Sequence, residues 1–215
     1  MIRVLVVDDQ DLVRSGICRL LEDSGRVDIV GEAPSGEDAI RLAKEKEPDV
    51  ILMDINMPGI GGLEATQKIL QRQPDIQIVA LTTYDGDPYT SRLLKMGASG
   101  YLTKGAHADE MIRAILKVNS GQKYISPEIA QKMALRPYQD DGGSPFEELS
   151  ERELQIAIMI VKGQKVAVIG EALFLSSKTV NSYRYRIFEK LGIENDVQLT
   201  LLATRHGLID PNEEV

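Results

Sequence analysis

The sequence predicts two domains of different class: an α/β domain on a doubly wound, five-stranded parallel sheet, then an all-α domain of four helices. Three observations carry this expectation. Up to about residue 120, short apolar runs of strand character alternate with helix-length amphipathic segments. A stretch without apolar periodicity, Arg136-Pro-Tyr-Gln-Asp-Asp-Gly-Gly-Ser-Pro145, then reads as a linker rich in turn formers and acids. Beyond it no strand pattern remains.

Val4–Val7 is the first expected strand, and Leu12, Val13, Gly16, Ile17, Leu20 and Leu21 recur behind it at the spacing of one packed helix face. Asp28–Ala33 and Gly100–Leu102 are weaker strands beside the strong runs Val50–Met53 and Ile78–Leu81. Between them lie helical segments at Gly36–Lys46, Gly62–Arg72, Pro88–Met96 and Asp109–Asn119. Pro88 behind Asp87 resembles a first-turn proline behind a capping carboxylate. Such alternation implies a parallel sheet covered on both faces, with ligands beyond the C-terminal strand ends. Residues 120–135 are ambiguous, though Ile129 and Met133 fit a helix joining the domains. Ser150 with Glu153 forms a capping-box signature that opens a helix to about Val161. Helices at Val166–Phe174, Ser177–Leu191 and Asp196–Arg205 complete the second domain. The expected division is 1–120, an inter-domain helix and linker over 121–147, and 148–215.

Composition narrows the function. The longest apolar runs are far too short to span a bilayer, and no signal-peptide layout follows Met1, so the expected location is cytoplasmic. A single cysteine, Cys18, allows neither an internal disulfide nor a metal centre of its own. The net charge of −8 argues against a nucleic-acid partner until its distribution is seen. Residues 149–215 hold eight Lys/Arg against nine Asp/Glu, so the surplus acid lies in front of them. Within Ser176–Lys190, Lys178, Arg184, Arg186 and Lys190 oppose only Glu189, a local charge of +3.

The acids of the first domain are placed with purpose. Asp8 and Asp9 follow the first strand run, Asp54 ends another, Thr82 follows a third and Lys104 a fourth. A parallel sheet brings all of these ends to one edge. Three carboxylates meeting there repel, which raises a pKa or calls for a cation. Oxygen ligands with spare positions suit Mg²⁺, which bridges to phosphate. A carboxylate beside that cation and a lysine is a plausible nucleophile for a phosphoryl group, with Thr82 placed to hydrogen-bond its oxygens. One aspartate after a strand is usually a turn residue or cap; this set at four strand ends is not explained that way.

Val-Leu-Val-Val-Asp8-Asp9, Leu-Met-Asp54-Ile-Asn-Met-Pro58-Gly-Ile-Gly-Gly-Leu-Glu64, Leu81-Thr82-Thr83 and Gly100-Tyr-Leu-Thr-Lys104 resemble the receiver domain of bacterial response regulators, a flavodoxin-like fold. The resemblance spans roughly residues 1–120. It implies that Asp54 accepts a phosphoryl group from a histidine kinase, with Asp9, Asp54 and the Asn56 backbone carbonyl on Mg²⁺ and Asp8 assisting through water. Thr82 and Tyr101 would form the switch pair, Tyr101 turning inward. Two positions depart from the family pattern: Gly105 follows the lysine where many receivers have proline, and Gln10 stands where relatives often carry histidine.

Leu149-Ser-Glu-Arg-Glu153, Gly163, Ile169, Leu173-Phe-Leu-Ser176, Lys178-Thr179-Val180 and Lys190-Leu191-Gly192-Ile193 resemble the LuxR/NarL (FixJ) helix-turn-helix over about residues 148–208. Val166–Phe174 would be the positioning helix and Ser176–Leu191 the recognition helix, its N-terminal residues near base edges of duplex DNA. Asn181 and Ser182 suit bases, whereas Lys178, Thr179, Arg184, Arg186 and Lys190 suit phosphates. Tyr185 is the tyrosine expected to reach DNA; Val180, Ile187 and Leu191 are expected in the core. Val197, Leu201 and Thr204 share one side of the last helix, which packs or, as the family does, dimerises on DNA. The segments around Ser150, Lys178-Thr-Val-Asn-Ser-Tyr-Arg-Tyr-Arg and Tyr124-Ile-Ser-Pro127 are similar to the GacA/UvrY group. That resemblance implies a hybrid sensor kinase of the GacS/BarA kind upstream, RNA polymerase as a further partner, no membrane partner, and promoters of small regulatory RNAs as targets. The expectation is a transcription factor, not an enzyme, freed from inter-domain inhibition by phosphorylation. The rivals are a metal-dependent phosphohydrolase using Asp54, for which no further acid/base residue stands ready, and a DNA-binding regulator independent of phosphorylation.

Overall fold

The structure is a computed structural model that describes residues 1–82, 89–135, 144–206 and 208 of the 215. Thr83, the expected Asp87–Pro88 helix start and the linker residues Arg136–Gly143 lie outside the described residues. The chain divides into two compact units, the first drawn from residues 1–85 and 90–134 and the second carrying residues 135–215.

The first unit alternates β1 (Ile2–Val7), α1 (Asp11–Asp23), β2 (Val27–Ala33), α2 (Gly36–Lys46), β3 (Val50–Asp54), α3 (Gly61–Arg72), β4 (Gln77–Thr82), α4 (Tyr89–Met96), β5 (Gly100–Thr103) and α5 (Ala108–Asn119). A sixth strand, β6 (Tyr124–Ile125), and α6 (Pro127–Leu135) follow. The sheet is parallel, in the order β2-β1-β3-β4-β5-β6. It thus has one strand more than the sequence predicts. Two residues carry no periodicity to detect, and Tyr124 pairs beside Gly100 because Tyr124 N bonds the Ser99 carbonyl and Ser126 N that of Tyr101.

Strand alternation splits the core into two layers. Val4, Val6, Val50, Leu52, Val79, Leu81 and Leu102 pack with Ile17 and Leu21 of α1 and with Met111, Ile115 and Val118 of α5. Leu5, Val7, Ile51, Met53 and Ile78 meet Ala39 and Ala43 of α2 and Ala65 and Ile69 of α3. The central runs are apolar at every position because both of their faces are covered.

The packed face expected of α1 divides. Ile17, Cys18 and Leu21 are buried, while Leu12 (89% exposed), Gly16 and Leu20 (48%) look outward. Apolar residues cover more of this helix than the sheet can bury, and spacing alone does not say which stripe faces in.

The second unit contains a short 3-10 helix (Pro145–Glu148), then α7 (Glu151–Val161), α8 (Val166–Ala172), α9 (Ser177–Leu191) and α10 (Asp196–Arg205). Pro145, expected to end the linker, instead opens that 3-10 turn, because fully buried Phe146 anchors it. The capping box is formed: Glu153 N bonds the Ser150 hydroxyl while the Glu153 carboxylate accepts from Ser150 N at 2.8 Å. Gly192 ends α9 in the left-handed region at φ 64°, where glycine is free of strain. Val180 and Ile187 are core, as expected, with Phe188 beside them; Leu191 is only half-buried, because the helix has by then turned it to the unit's rim. Helix α8, expected to reach Phe174, stops two residues short of it, because the φ of 54° at Phe174 cannot continue a right-handed helix.

Candidate functional site

The C-terminal ends of β1, β3, β4 and β5 come out together. Val7 pairs with Met53, Asp54 with Leu81 and Thr82 with Thr103, so the residues that follow share one edge. There, Asp8 and Asp54 are buried and one oxygen of each lies 2.8 Å from Lys104 Nζ. The contact to Asp54 is an aligned hydrogen bond; that to Asp8 is a charge pair without such alignment. Burial pushes the Asp54 carboxyl up to about 6; Lys104 and the Asn56 amide pull against this, while Asp8 adds to it. Burial disfavours the Lys104 ammonium, yet its two carboxylates hold its pKa above the ordinary value.

Asp9 completes the group: carboxylate oxygens of Asp8, Asp9 and Asp54 all lie within 4.8 Å of one another. Asp9 Oδ1 is buried with no hydrogen-bond partner. One ammonium does not balance three carboxylates, so a divalent cation with oxygen ligands fits the charge and the orphaned atom alike.

The edge is braced from behind. Arg14, mostly buried, donates to the Asp8 carbonyl at 2.7 Å and pairs with Asp11 at 2.5 Å and Glu32 at 3.2 Å, so it ties the β1–α1 loop to β2. Backbone amides of Gln10 and Asn56 donate to Asp8 Oδ1 (2.9 Å) and Asp54 Oδ1 (3.0 Å). Gly62 lets α3 start against the phospho-acceptor candidate, since a Cβ there would lie 1.9 Å from the Asp54 carbonyl oxygen. Glu37 of α2 accepts from Ile60 N at 3.2 Å and holds the β3–α3 loop.

In the second unit, α9 presents Lys178, Ser182, Tyr185 (72% exposed) and Arg186 to solvent, with Thr179 and Asn181 half-buried beside them. Arg186 leans over the Tyr183 ring at 5.7 Å. Two expected phosphate contacts are committed elsewhere. Arg184 grips both oxygens of Asp196 at 2.7 and 2.6 Å and lies over Phe188. Lys190 reaches the Glu153 carboxylate at 2.6 Å. Val197 and Leu201 of α10 are 68% and 64% exposed, while Leu199 and Ala203 fill the core.

Residues 4–116 match the model of the response regulator receiver domain, and residues 147–203 that of the bacterial regulatory proteins of the luxR family. The chain belongs to the response regulators. It is 59% identical over 210 residues to the response regulator GacA of Pseudomonas protegens (strain DSM 19095 / LMG 27888 / CFBP 6595 / CHA0), covering 98% of this chain and 99% of that protein. It is 55% identical over 209 residues to the response regulator UvrY of Escherichia coli (strain K12), covering 97% and 96%. The solved structure of the two-component response regulator RcsB–DNA complex aligns at TM-score 0.60 and 25% identity over 95% of this chain and 98% of that one.

A receiver joined to a LuxR-type DNA-binding domain makes this response regulator a two-component transcription regulator. In its receiver Asp8, Asp9, Asp54 and Lys104 come together, and Asn56 contributes backbone beside an exposed side chain. Thr82 and Tyr101 are each fully buried, on the same face of neighbouring strands. Gln10 is exposed at the start of α1, and the Lys104–Gly105 bond is trans. Sequence reading missed Arg14, Glu37 and Gly62 as site supports; the nearest signal was the Gly-Ile-Gly-Gly run of residues 59–62. Among the described residues no helix is long and apolar enough to cross a membrane.

Proposed function

We propose that Asp54 is the phospho-acceptor and that a histidine kinase donates the group. The Asp54 carboxylate forms the new P–O bond as the donor's P–N bond breaks. The observation that carries this reading is the lysine held 2.8 Å from both Asp54 and Asp8 beside the unpartnered Asp9 oxygen. Asp8, Asp9, Asp54 and the Asn56 carbonyl would hold Mg²⁺, which supplies charge neutralisation for phosphoryl oxygens when bound. Lys104 supplies a second positive charge from the protein itself. Thr82 is placed to hydrogen-bond the new phosphoryl oxygens, and Tyr101 answers it as the switch partner.

In this reading the receiver spans 1–120, the joining helix and linker 121–147 and the DNA-binding domain 148–215. Phosphorylation relieves inhibition of the second domain by the first and favours dimers on promoter DNA, small regulatory RNA genes among them. Lys178, Thr179, Asn181, Ser182, Tyr185 and Arg186 meet the duplex, while Arg184 and Lys190 stiffen the helix that carries them. The exposed Val197 and Leu201 support α10 as the dimer contact. The protein acts in the cytoplasm, as a regulator rather than an enzyme, and its kinase is of the hybrid GacS/BarA kind.

The test is incubation with Mg²⁺ and acetyl phosphate, followed by intact mass and DNA affinity, with Asp54→Asn alongside. One added phosphoryl group, absent in the variant and accompanied by tighter DNA binding, is expected. Equal DNA affinity of both proteins after treatment would establish regulation independent of phosphorylation.

A further inference from the structure

Phe174 carries two unfavourable features at once. It is 81% exposed, and its backbone sits in the left-handed region at φ 54°. A lone exposed aromatic is ordinary on a protein surface. A bulky side chain in left-handed backbone is not, and glycine or asparagine would hold the same turn with less strain.

The surrounding turn is built tightly. Leu175 N bonds the Gly170 carbonyl at 2.8 Å, Phe174 N that of Glu171 at 3.3 Å, and Arg152 Nη2 donates to the Leu173 carbonyl at 2.7 Å. A Cβ on Gly170 would lie 2.7 Å from the Leu175 oxygen, so the turn is pressed onto α8. The ring is therefore presented outward from a fixed base. Among the described residues, little of this unit packs on the ring, which stays mostly exposed.

Its place in the chain points to the occupant. Phe174 stands two residues before Ser176, the N-cap of α9, and four before exposed Lys178. In a helix-turn-helix the first residues of this helix lie at the base edges. Lys178 and Arg186, both exposed on the same helix, draw a polyanion toward this end of the unit.

We propose that Phe174 is an apolar DNA contact at the leading end of the recognition helix, packing on sugar and thymine-methyl surface of the duplex. The inference rests on α9 being the DNA-reading element. The ring adds surface complementarity without charge, and phenylalanine is among the side chains suited to the thymine methyl. Its ordering cost on binding is low because the turn is already rigid.

The experiment uses the full chain, phosphorylated with Mg²⁺ and acetyl phosphate and checked by intact mass, and a labelled duplex that this wild type recovers from a random 20-base-pair library. Phe174→Asn and Phe174→Gly suit left-handed backbone, so both variants are expected to keep their circular dichroism and a melting temperature no lower than wild type. Each is expected to bind the duplex about tenfold more weakly, the size of one good contact. The slope of affinity against salt is expected to stay unchanged, because an apolar contact releases no counterions. Affinity within twofold of wild type in both folded variants overturns the proposal. So does a weaker complex with a shallower salt slope, which would mean displaced phosphate contacts. Failure of the phosphorylated wild type to enrich any duplex would refute the assignment of α9 itself, and the role of Phe174 with it.

Discussion

Gly62 and Arg14 decide whether the acidic edge can exist at all. Replacing Gly62 by alanine sets a methyl 1.9 Å from the Asp54 carbonyl, a clash with backbone that cannot rotate away. Gly62→Ala is expected to cost about 3 kcal/mol or more in urea denaturation of the receiver. Arg14→Ala leaves the Asp8 carbonyl and Glu32 without their shared partner and loosens the loop that aims Asp8 and Asp9. We expect a weaker Mg²⁺ affinity in calorimetric titration, with partial recovery in Arg14→Lys, which keeps the charge but not the three-way grip. Asp8, Asp9, Asp54 and Lys104 were legible because strand ends in a parallel sheet share an edge, whatever their distance in sequence. Arg14 and Gly62 were not, since their roles depend on which backbone approaches them, and periodicity carries no such information.

Among the elements, α9 is held by charge at both of its packed sides. Lys190 and the Ser150 cap draw on the same Glu153 carboxylate. Burial alone would raise the Glu153 pKa; Lys190 and Ser150 more than offset it and lower it. A depressed carboxylate stabilises the fold above its unfolded pKa, about 4.3, and this contribution disappears as pH falls through the lower folded value. Glu153→Gln should therefore flatten the acid limb of the thermal stability profile and change little below it. Arg184→Ala should remove about 1 kcal/mol from the second unit through the lost Asp196 grip. Its effect on the salt slope of DNA binding should be nil, whereas Arg186→Ala should lower that slope by about one. The helix pattern was plain in the sequence over α7, α9 and α10. Its errors fell where local geometry overrides pattern: the left-handed Phe174 ending α8 early, the two-residue β6, and the inward stripe of α1.

For the molecule as a whole, sequence foretold two classes of unit and the structure adds how a buried group is stationed within one of them. Tyr101 is fully enclosed, on the sheet face that it shares with Thr82. A side chain packed on every side changes position only together with its neighbours, so its stations are discrete rather than graded. In the proposed switch, phosphorylation shifts the balance between two such stations by its differential affinity for them, and couplings of this kind are typically about 5- to 150-fold. Parallel titrations of modified and unmodified protein against DNA would measure that ratio, and with it how much signal a kinase can send through this chain.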